Sequence, residues 1–268
     1  MEGETCAPVS SPINGNRILS VLALEGTHPI FSRLISVPLT ARQVLAAPSA
    51  SLNYGYFITK GMACGLTVMK NGATVTDHLI GPEGFVGFSL LFGVLNDQTL
   101  IKIQPVTVVQ VPGNALRIDA AAFIEEYNRP GSFQDIMRRY ALARMAAITQ
   151  TAACNTIHCI RERMACWLLL TADRVGTNVP VTHEAIAQML GTRRATLSVQ
   201  VEAFQRMGLI TCGYKLIQIK DRSELEKVAC ECYEVHRQIM ERVFRSSKIS
   251  PVPETSRSTV LQRTNTTS

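Results

Sequence analysis

Arg193 and Arg194 stand side by side in the first turn of a short predicted helix, with Thr192, Thr196, Ser198, Val199 and Gln200 around them. Two guanidiniums at such a place suit an anionic, hydrogen-bonding target. A guanidinium can hold a phosphate, or O6 and N7 of a guanine, with two parallel bonds. Hydroxyl groups nearby can grip phosphates, which positions a protein on a duplex without reading sequence. An apolar side chain such as Val199 can touch a thymine methyl. The same residue types also make an ordinary solvated helix face, so the surrounding elements decide between the two.

Those elements run from Thr182 to Ile210. Thr182 can cap a first helix by accepting from an unpaired backbone N–H, and its remaining donor makes it a further phosphate candidate. Ile186, Met189 and Leu190 are spaced to bury one face. Gly191 follows, where the backbone often needs positive φ. A second helix is expected from Thr192, with Leu197, Val201, Phe204 and also Val199 as apolar contacts, ended by Gly208. This is the layout of a helix-turn-helix, whose second helix offers its N-terminal residues to the major groove. Thr211–Tyr214 and Lys215–Ile219 read as a small hairpin, a wing. Asp221 and Glu224 form a capping box for another helix.

The segment resembles the winged helix-turn-helix of the Crp/Fnr family of bacterial transcription regulators, through Thr182, Ile186–Ala187, Gly191, Arg194, Thr196 and Gly208–Leu209–Ile210. The likeness in element order extends over roughly residues 17 to 230. It implies an α+β chain: an N-terminal β-roll, jelly-roll-like sensor domain (16–130), a long dimerisation helix (131–156), and a winged helix-turn-helix DNA-binding domain with a C-terminal helix (157–245). Tails 1–15 and 246–268 are rich in Ser, Pro, Thr and Asn and are expected to be disordered. By this resemblance Arg194 holds the guanine-contacting position. The family's following Glu is Ala195 here, and its second base-reading Arg aligns with Val199, beside Gln200. The operator should therefore differ from the usual family half-site.

Composition agrees without deciding. Of 268 residues with net charge +6, residues 1–130 carry −1 and residues 157–245 carry +3, so the positive charge lies toward the C-terminal half. The first residues have neither a basic region nor an apolar core, so a secretory signal is not expected, nor is a membrane span. A cytoplasmic protein with reduced thiols is the expectation. The eight cysteines, Cys6, Cys64, Cys154, Cys159, Cys166, Cys212, Cys230 and Cys232, include no Cys-x-x-Cys and fit no standard zinc spacing. Cys230 and Cys232, placed on one helix, would point about 200° apart. Cys154 and His158, four apart on a helical face, leave a metal or haem link conceivable, but a packed or surface histidine is the stronger expectation, as for His78. No metal site is expected. Cys159 and Cys166, seven apart, are read as core. The iron–sulfur branch of the family uses clustered N-terminal cysteines, and only Cys6 lies there.

Upstream, Arg17–Leu24 reads as a short helix, His28–Ile35 as a second, and Tyr54–Ile80 as strands around an Asn71–Gly72 turn. Leu100–Ile103, Val106–Val111 and Ala115–Ile118 are further strands, and Asp119 can cap a helix through Tyr127. In 132–155, Ile136, Tyr140, Ala143, Ala147, Gln150 and Cys154 form a heptad, read as a homodimer seam, with packing on the sensor domain as the alternative. A second helix is expected over about Ile157–Ala172.

The family's cyclic-nucleotide pocket carries Phe-Gly-Glu followed by Arg-Ser/Thr-Ala. Here Phe88 stands where the Glu would be, Asp97–Gln98–Thr99–Leu100 replaces the second motif, and no Arg occurs between Gly81 and Leu116. An anionic phosphate would lose its charge-assisted contact, so tight cyclic AMP binding is not expected and no cofactor is predicted. The resemblance implies a homodimer on inverted-repeat double-stranded DNA, with RNA polymerase a further candidate partner and the effector unknown. The alternative is a ligand-binding or signalling module that kept the scaffold without specific DNA binding. No Gly-x-Ser-x-Gly, phosphate-binding Gly loop or His-Glu-x-x-His supports an enzyme.

Overall fold

A computed structural model describes residues 15–48, 52–70, 72, 74–92 and 106–245. Both expected tails (Gly15 aside), Asn71, and the predicted Leu100–Ile103 strand with Asp97–Thr99 before it lie outside these residues. Helix α1 (Arg17–Leu24) leads, as expected. Asn16 is fully buried at its start. The Asn16 side chain accepts from the N–H groups of Ile18 and Leu19 and donates to the carbonyls of Ile58 and Gly84, each at 2.9 Å. One satisfied amide thus caps α1 and pins it to the sheet, and burial costs it no unmade bond.

The predicted helix over His28–Ile35 is instead a 3-10 turn, Pro29–Arg33, followed at once by strand β1 (Ile35–Leu39). The β-branched Ile35 and Val37 pair with β6 and end the helical path. Strands β2 (Val44–Ala46), β3 (Tyr54–Val68), β4 (Thr74–Ile80), β5 (Phe85–Val86) and β6 (Val106–Asp119) complete one antiparallel sheet, ordered β1-β6-β3-β4, with β2 on β6 and β5 on β3. The two strands expected around residues 106–118 are one. Pro112 has no N–H to donate, and β3 shifts register between Lys60 and Met62 opposite it. Gly61 makes that possible with φ 86°, since a Cβ there would stand 2.5 Å from the Val111 carbonyl oxygen. Leu39, Leu45, Ile58, Ala63, Ile80, Val86, Val109 and Ala115 fill the roll.

Asp119 caps helix α2 (Ala120–Asn128), as expected. Helix α3 (Ser132–Ile157) then runs through 26 residues. Its Phe133 joins Phe57, Phe85 and Phe123, whose rings meet at centroid distances from 4.7 to 6.5 Å. Each such ring removed from water stabilises by roughly 1.5–3 kcal/mol, so the core beside the sheet and α3 close on one another. This corrects the expected dimer seam. Ile136, Tyr140, Ala143 and Cys154 are buried within their own chain, Ala147 is half-buried, and the Gln150 amide donates to Cys232 Sγ. The face left open carries Leu142, 70% exposed, Met145, Thr149, Ala152 and Thr156, itself a heptad.

Helix α4 (Ile160–Val175) starts three residues later than expected. His158 and Cys159 are extended, and the Glu162 carboxylate accepts the Cys159 N–H at 3.0 Å, fixing the start. Cys159 is consequently exposed, not core, while Cys166 is buried. After β7 (Asn178–Val179) come α5 (His183–Met189), α6 (Arg194–Arg206), β8 (Ile210–Gly213), β9 (Leu216–Ile219), α7 (Arg222–Val228) and α8 (Cys232–Phe244). Cys230 lies in the turn between α7 and α8, and Cys232 opens α8. The helical angle argument against their sharing a ligand therefore does not apply. Nor is His158 on the helical face of Cys154: it is the residue after α3.

The halves meet at buried polar contacts. Arg174 of α4 pairs with Glu83, in the β4–β5 turn, at 2.8 Å, both side chains only 12% exposed. Arg144 of α3 meets His78 of β4, and both are buried. Among the described residues no helix is long and apolar enough to cross a membrane.

Candidate nucleic-acid interface

Helix α5 begins where the sequence places it: the Thr182 hydroxyl accepts the Ala185 N–H at 3.2 Å. Ile186, Ala187, Met189 and Leu190 are buried. Gly191 takes φ 60°, and its N–H bonds the Gln188 carbonyl at 3.1 Å while that of Thr192 reaches Ala187 at 2.9 Å. The left-handed residue turns the chain so that α6 can leave at an angle. Arg163 of α4 braces this turn, donating to the Leu190 carbonyl at 2.5 Å.

Helix α6 starts at Arg194 rather than Thr192. Arg193 occupies the capping position, and no side chain caps the helix. Its first-turn N–H groups therefore have no side-chain acceptor there, and the helix dipole favours an anion at the same end. Leu197, Val201 and Phe204 bury the inner face, fully or nearly so. Arg193, Arg194, Ala195, Thr196 and Val199 are exposed, while Thr192, Ser198 and Gln200 are half-buried. Val199, 58% exposed, is thus not a core contact but stands on the outer face. Gln200 follows Arg194 by six positions of helix, which puts them about 120° apart, on opposite shoulders. The structure groups Thr196 and Val199 outward and sets Arg194 and Gln200 at the flanks. Arg194 has one loose partner, Glu184 at 3.9 Å, and its side chain is 70% exposed. Thr182 sits at the start of the neighbouring α5, with its hydroxyl proton still available to donate.

The expected wing is β8–β9, in register Ile210↔Ile219 to Gly213↔Leu216. Its tip holds two residues that sequence reasoning did not select. Tyr214 is 88% exposed, and Lys215, in the left-handed region at φ 52°, places its ammonium 5.0 Å from the Tyr214 ring centroid. The signal was present: an aromatic and a cation in the only two positions between paired strands. Asp221 accepts the Glu224 N–H at 2.9 Å and starts α7, as expected. Away from this surface, a cavity of about 100 Å³ lies between β4, α3, α4 and α8, lined in part by Thr76, Arg144, Arg163, Trp167 and Arg174. It is distinct from the Phe85–Phe92 run, where Phe88 lies in a 3-10 turn with the Arg144 guanidinium 4.8 Å from its ring centroid.

The family model for a Crp-like helix-turn-helix domain matches residues 162–228. No curated protein matches the sequence. Among solved structures, a protein of Eubacterium rectale assigned to the crp/fnr family is similar with TM-score 0.60 and 16% identity, over 77% of this chain and 96% of that one. Two regulators from Thermus thermophilus are similar as well. One, of the CRP family, has TM-score 0.59 and 17% identity over 72% and 96% of the two chains. The other, of the CRP/FNR family, has TM-score 0.58 and 20% identity over 73% and 98%. The chain therefore carries a Crp-like helix-turn-helix domain on the fold of Crp/Fnr-family transcriptional regulators.

Proposed function

We propose that the protein is a sequence-specific DNA-binding transcription regulator that acts as a homodimer on inverted repeats. The observation that carries this reading is the exposed start of α6, where Arg193 and Arg194 project beside uncapped backbone N–H groups. Arg194 reads a guanine in the major groove. Arg193, Thr182, Thr192, Thr196 and Ser198 hold phosphates, Val199 meets a thymine methyl, and Gln200 contacts from the other shoulder. Tyr214 and Lys215 bring the wing to the adjacent backbone. Two copies place their α6 helices about 34–36 Å apart, one turn of duplex.

Charge neutralisation at phosphates makes affinity fall steeply with salt. The test is selection of binding sequences from random duplexes, followed by anisotropy titration of the best sequence at several salt concentrations. The wild-type chain should enrich an inverted repeat. Arg193→Ala with Arg194→Ala should reduce binding to the non-specific level while the chain stays folded and dimeric. Absence of any enriched sequence would favour a signalling module that kept the scaffold. Unchanged binding by the double variant would overturn the site assignment.

A further inference from the structure

Four metal-ligating side chains from separate stretches converge where the long helix ends. Cys154 is in the last turn of α3, His158 follows that helix, Cys230 lies in the α7–α8 turn and Cys232 opens α8. Their ligand atoms all lie within 4.8 Å of one another. Cys154 Sγ and Cys230 Sγ are 3.6 Å apart, and Cys232 Sγ is 3.5 Å from His158 Nδ1. A tetrahedral zinc ion with its usual bond lengths sets sulfurs about 3.8 Å apart, and a sulfur about 3.6 Å from a ring nitrogen.

The surroundings fit as well. His158 turns its other nitrogen, Nε2, to Glu231 Oε2 at 3.1 Å. A carboxylate on the far side of an imidazole fixes the tautomer that leaves Nδ1 as a ligand. Gln150 Nε2 donates to Cys232 Sγ at 3.1 Å, a contact that a thiolate accepts better than a thiol. All three cysteines are buried and the His158 side chain is 15% exposed, which describes a closed structural site rather than a catalytic one. Three sulfurs and an imidazole select a soft or borderline cation over magnesium or calcium. Ligands this close surround one ion, whereas a multi-iron cluster spreads its cysteines across several metal atoms.

We propose that Cys154, His158, Cys230 and Cys232 form a tetrahedral site for one divalent cation of the zinc class. On binding, the three thiols release their protons to solvent, so three thiolates and a neutral imidazole carry a net charge of −1 with the ion. The ion ties the end of α3 to the α7–α8 turn and so fixes the C-terminal helix pair on α3.

The test uses the untagged full chain, purified under reducing conditions without chelator, for metal analysis and, after stripping, for cobalt(II) titration. One zinc per chain is expected. One cobalt should bind with the intense visible bands of a tetrahedral ion and near-ultraviolet sulfur-to-cobalt absorption. Cys230→Ser with Cys232→Ser should abolish both, and Cys212→Ser should change neither. Glu231 is exposed, and Glu231→Gln should lower zinc affinity about tenfold or more without disturbing folding. Because that variant and the wild-type titration need no core substitution, misfolding of a cysteine variant cannot mask the result. A folded wild-type chain that takes up neither metal, an iron–sulfur chromophore, or full zinc in the double cysteine variant would each overturn the assignment.

Discussion

The Arg144 guanidinium of α3 meets Nε2 of His78 in β4, and both side chains are buried. Arg144 also donates to the Phe85 carbonyl at 3.4 Å and lies over the Phe88 ring. Asp77 stands at the other ring nitrogen of His78. An imidazole that accepts from an arginine must be neutral, so the pair makes His78 resist protonation.

Burial first, then the Arg144 charge, hold the His78 pKa down to about 4, with Arg174 acting in the same sense and Asp77 opposing. The folded value lies below the unfolded one, near 6.5. The resulting stability is fully present above about pH 6.5 and is lost as pH falls toward 4. The shift limits the loss to about 3 kcal/mol for this group. Half-buried His236, held down to about 4 by desolvation and then by the Arg174 charge, adds in the same direction. Denaturation at pH 7.5 and pH 5 should show the wild-type chain weaker in acid and the His78→Gln variant less acid-sensitive. Equal slopes for the two would show that His78 does not titrate in this window.

The open heptad on α3 should be the contact between two copies. Leu142 and Met145 are the large apolar groups on it, 70% and 56% exposed, and two such stripes bury one another in a coiled-coil pair. Leu142→Glu with Met145→Glu should shift sedimentation to the monomer and leave the melting temperature of the chain nearly unchanged at low concentration. A dimer that survives both charges would place the interface elsewhere.

Gly191→Ala should destabilise by about 1–2 kcal/mol, the penalty of a left-handed backbone for a residue with Cβ. The melting temperature should fall by a few degrees. The new Cβ would also lie 3.3 Å from Val75 Cγ2 of β4. Adding Val75→Ala removes that contact but not the backbone strain, so the double variant should stay destabilised. Full recovery would mean that crowding, not φ, sets the requirement.

Cyclic AMP should leave the melting curve where it is. The resemblance would put Phe88 where the family has its ribose-binding Glu, and the guanidinium over Phe88, that of Arg144, is already engaged by His78 and Phe85. A ligand bound by the folded state raises stability by mass action. A concentration-dependent rise with micromolar nucleotide would show that another residue supplies the phosphate contact.

The recognition unit was legible because its signals are local. Thr182 caps, Gly191 turns and Leu197, Val201 and Phe204 bury within thirty residues of chain, so spacing alone reports the geometry. The dimer seam was misread for a reason of principle. Periodicity in 132–155 shows that α3 has an apolar face, but not whether α8 and the N-terminal core or a second copy covers it. The reading of Val199 as an apolar core contact fails the same way, since one apolar residue in an amphipathic helix carries no mark of its partner, and its 58% exposure leaves only the outward reading. The cluster at Cys154 joins two local pairs, Cys154 with His158 and Cys230 with Cys232, and no local pattern shows that the pairs meet. Cys154 and Cys230 are 76 residues apart, and the helix break at Ala229–Cys230 that aims Cys230 inward has no Gly or Pro to announce it.

The ion pair between Arg174 and Glu83 has a further consequence for how the protein can respond to a signal. A surface pair would loosen in salt, but this one is shielded from counterions by its own surroundings. Swinging the C-terminal half away from the roll would part the carboxylate from the guanidinium and leave Glu83 with the Gly81 N–H and Arg174 with the Leu170 carbonyl, so water must replace the lost contact. A reorientation of α6 that carries α4 with it therefore costs least when the β4–β5 turn moves with α4 as one piece.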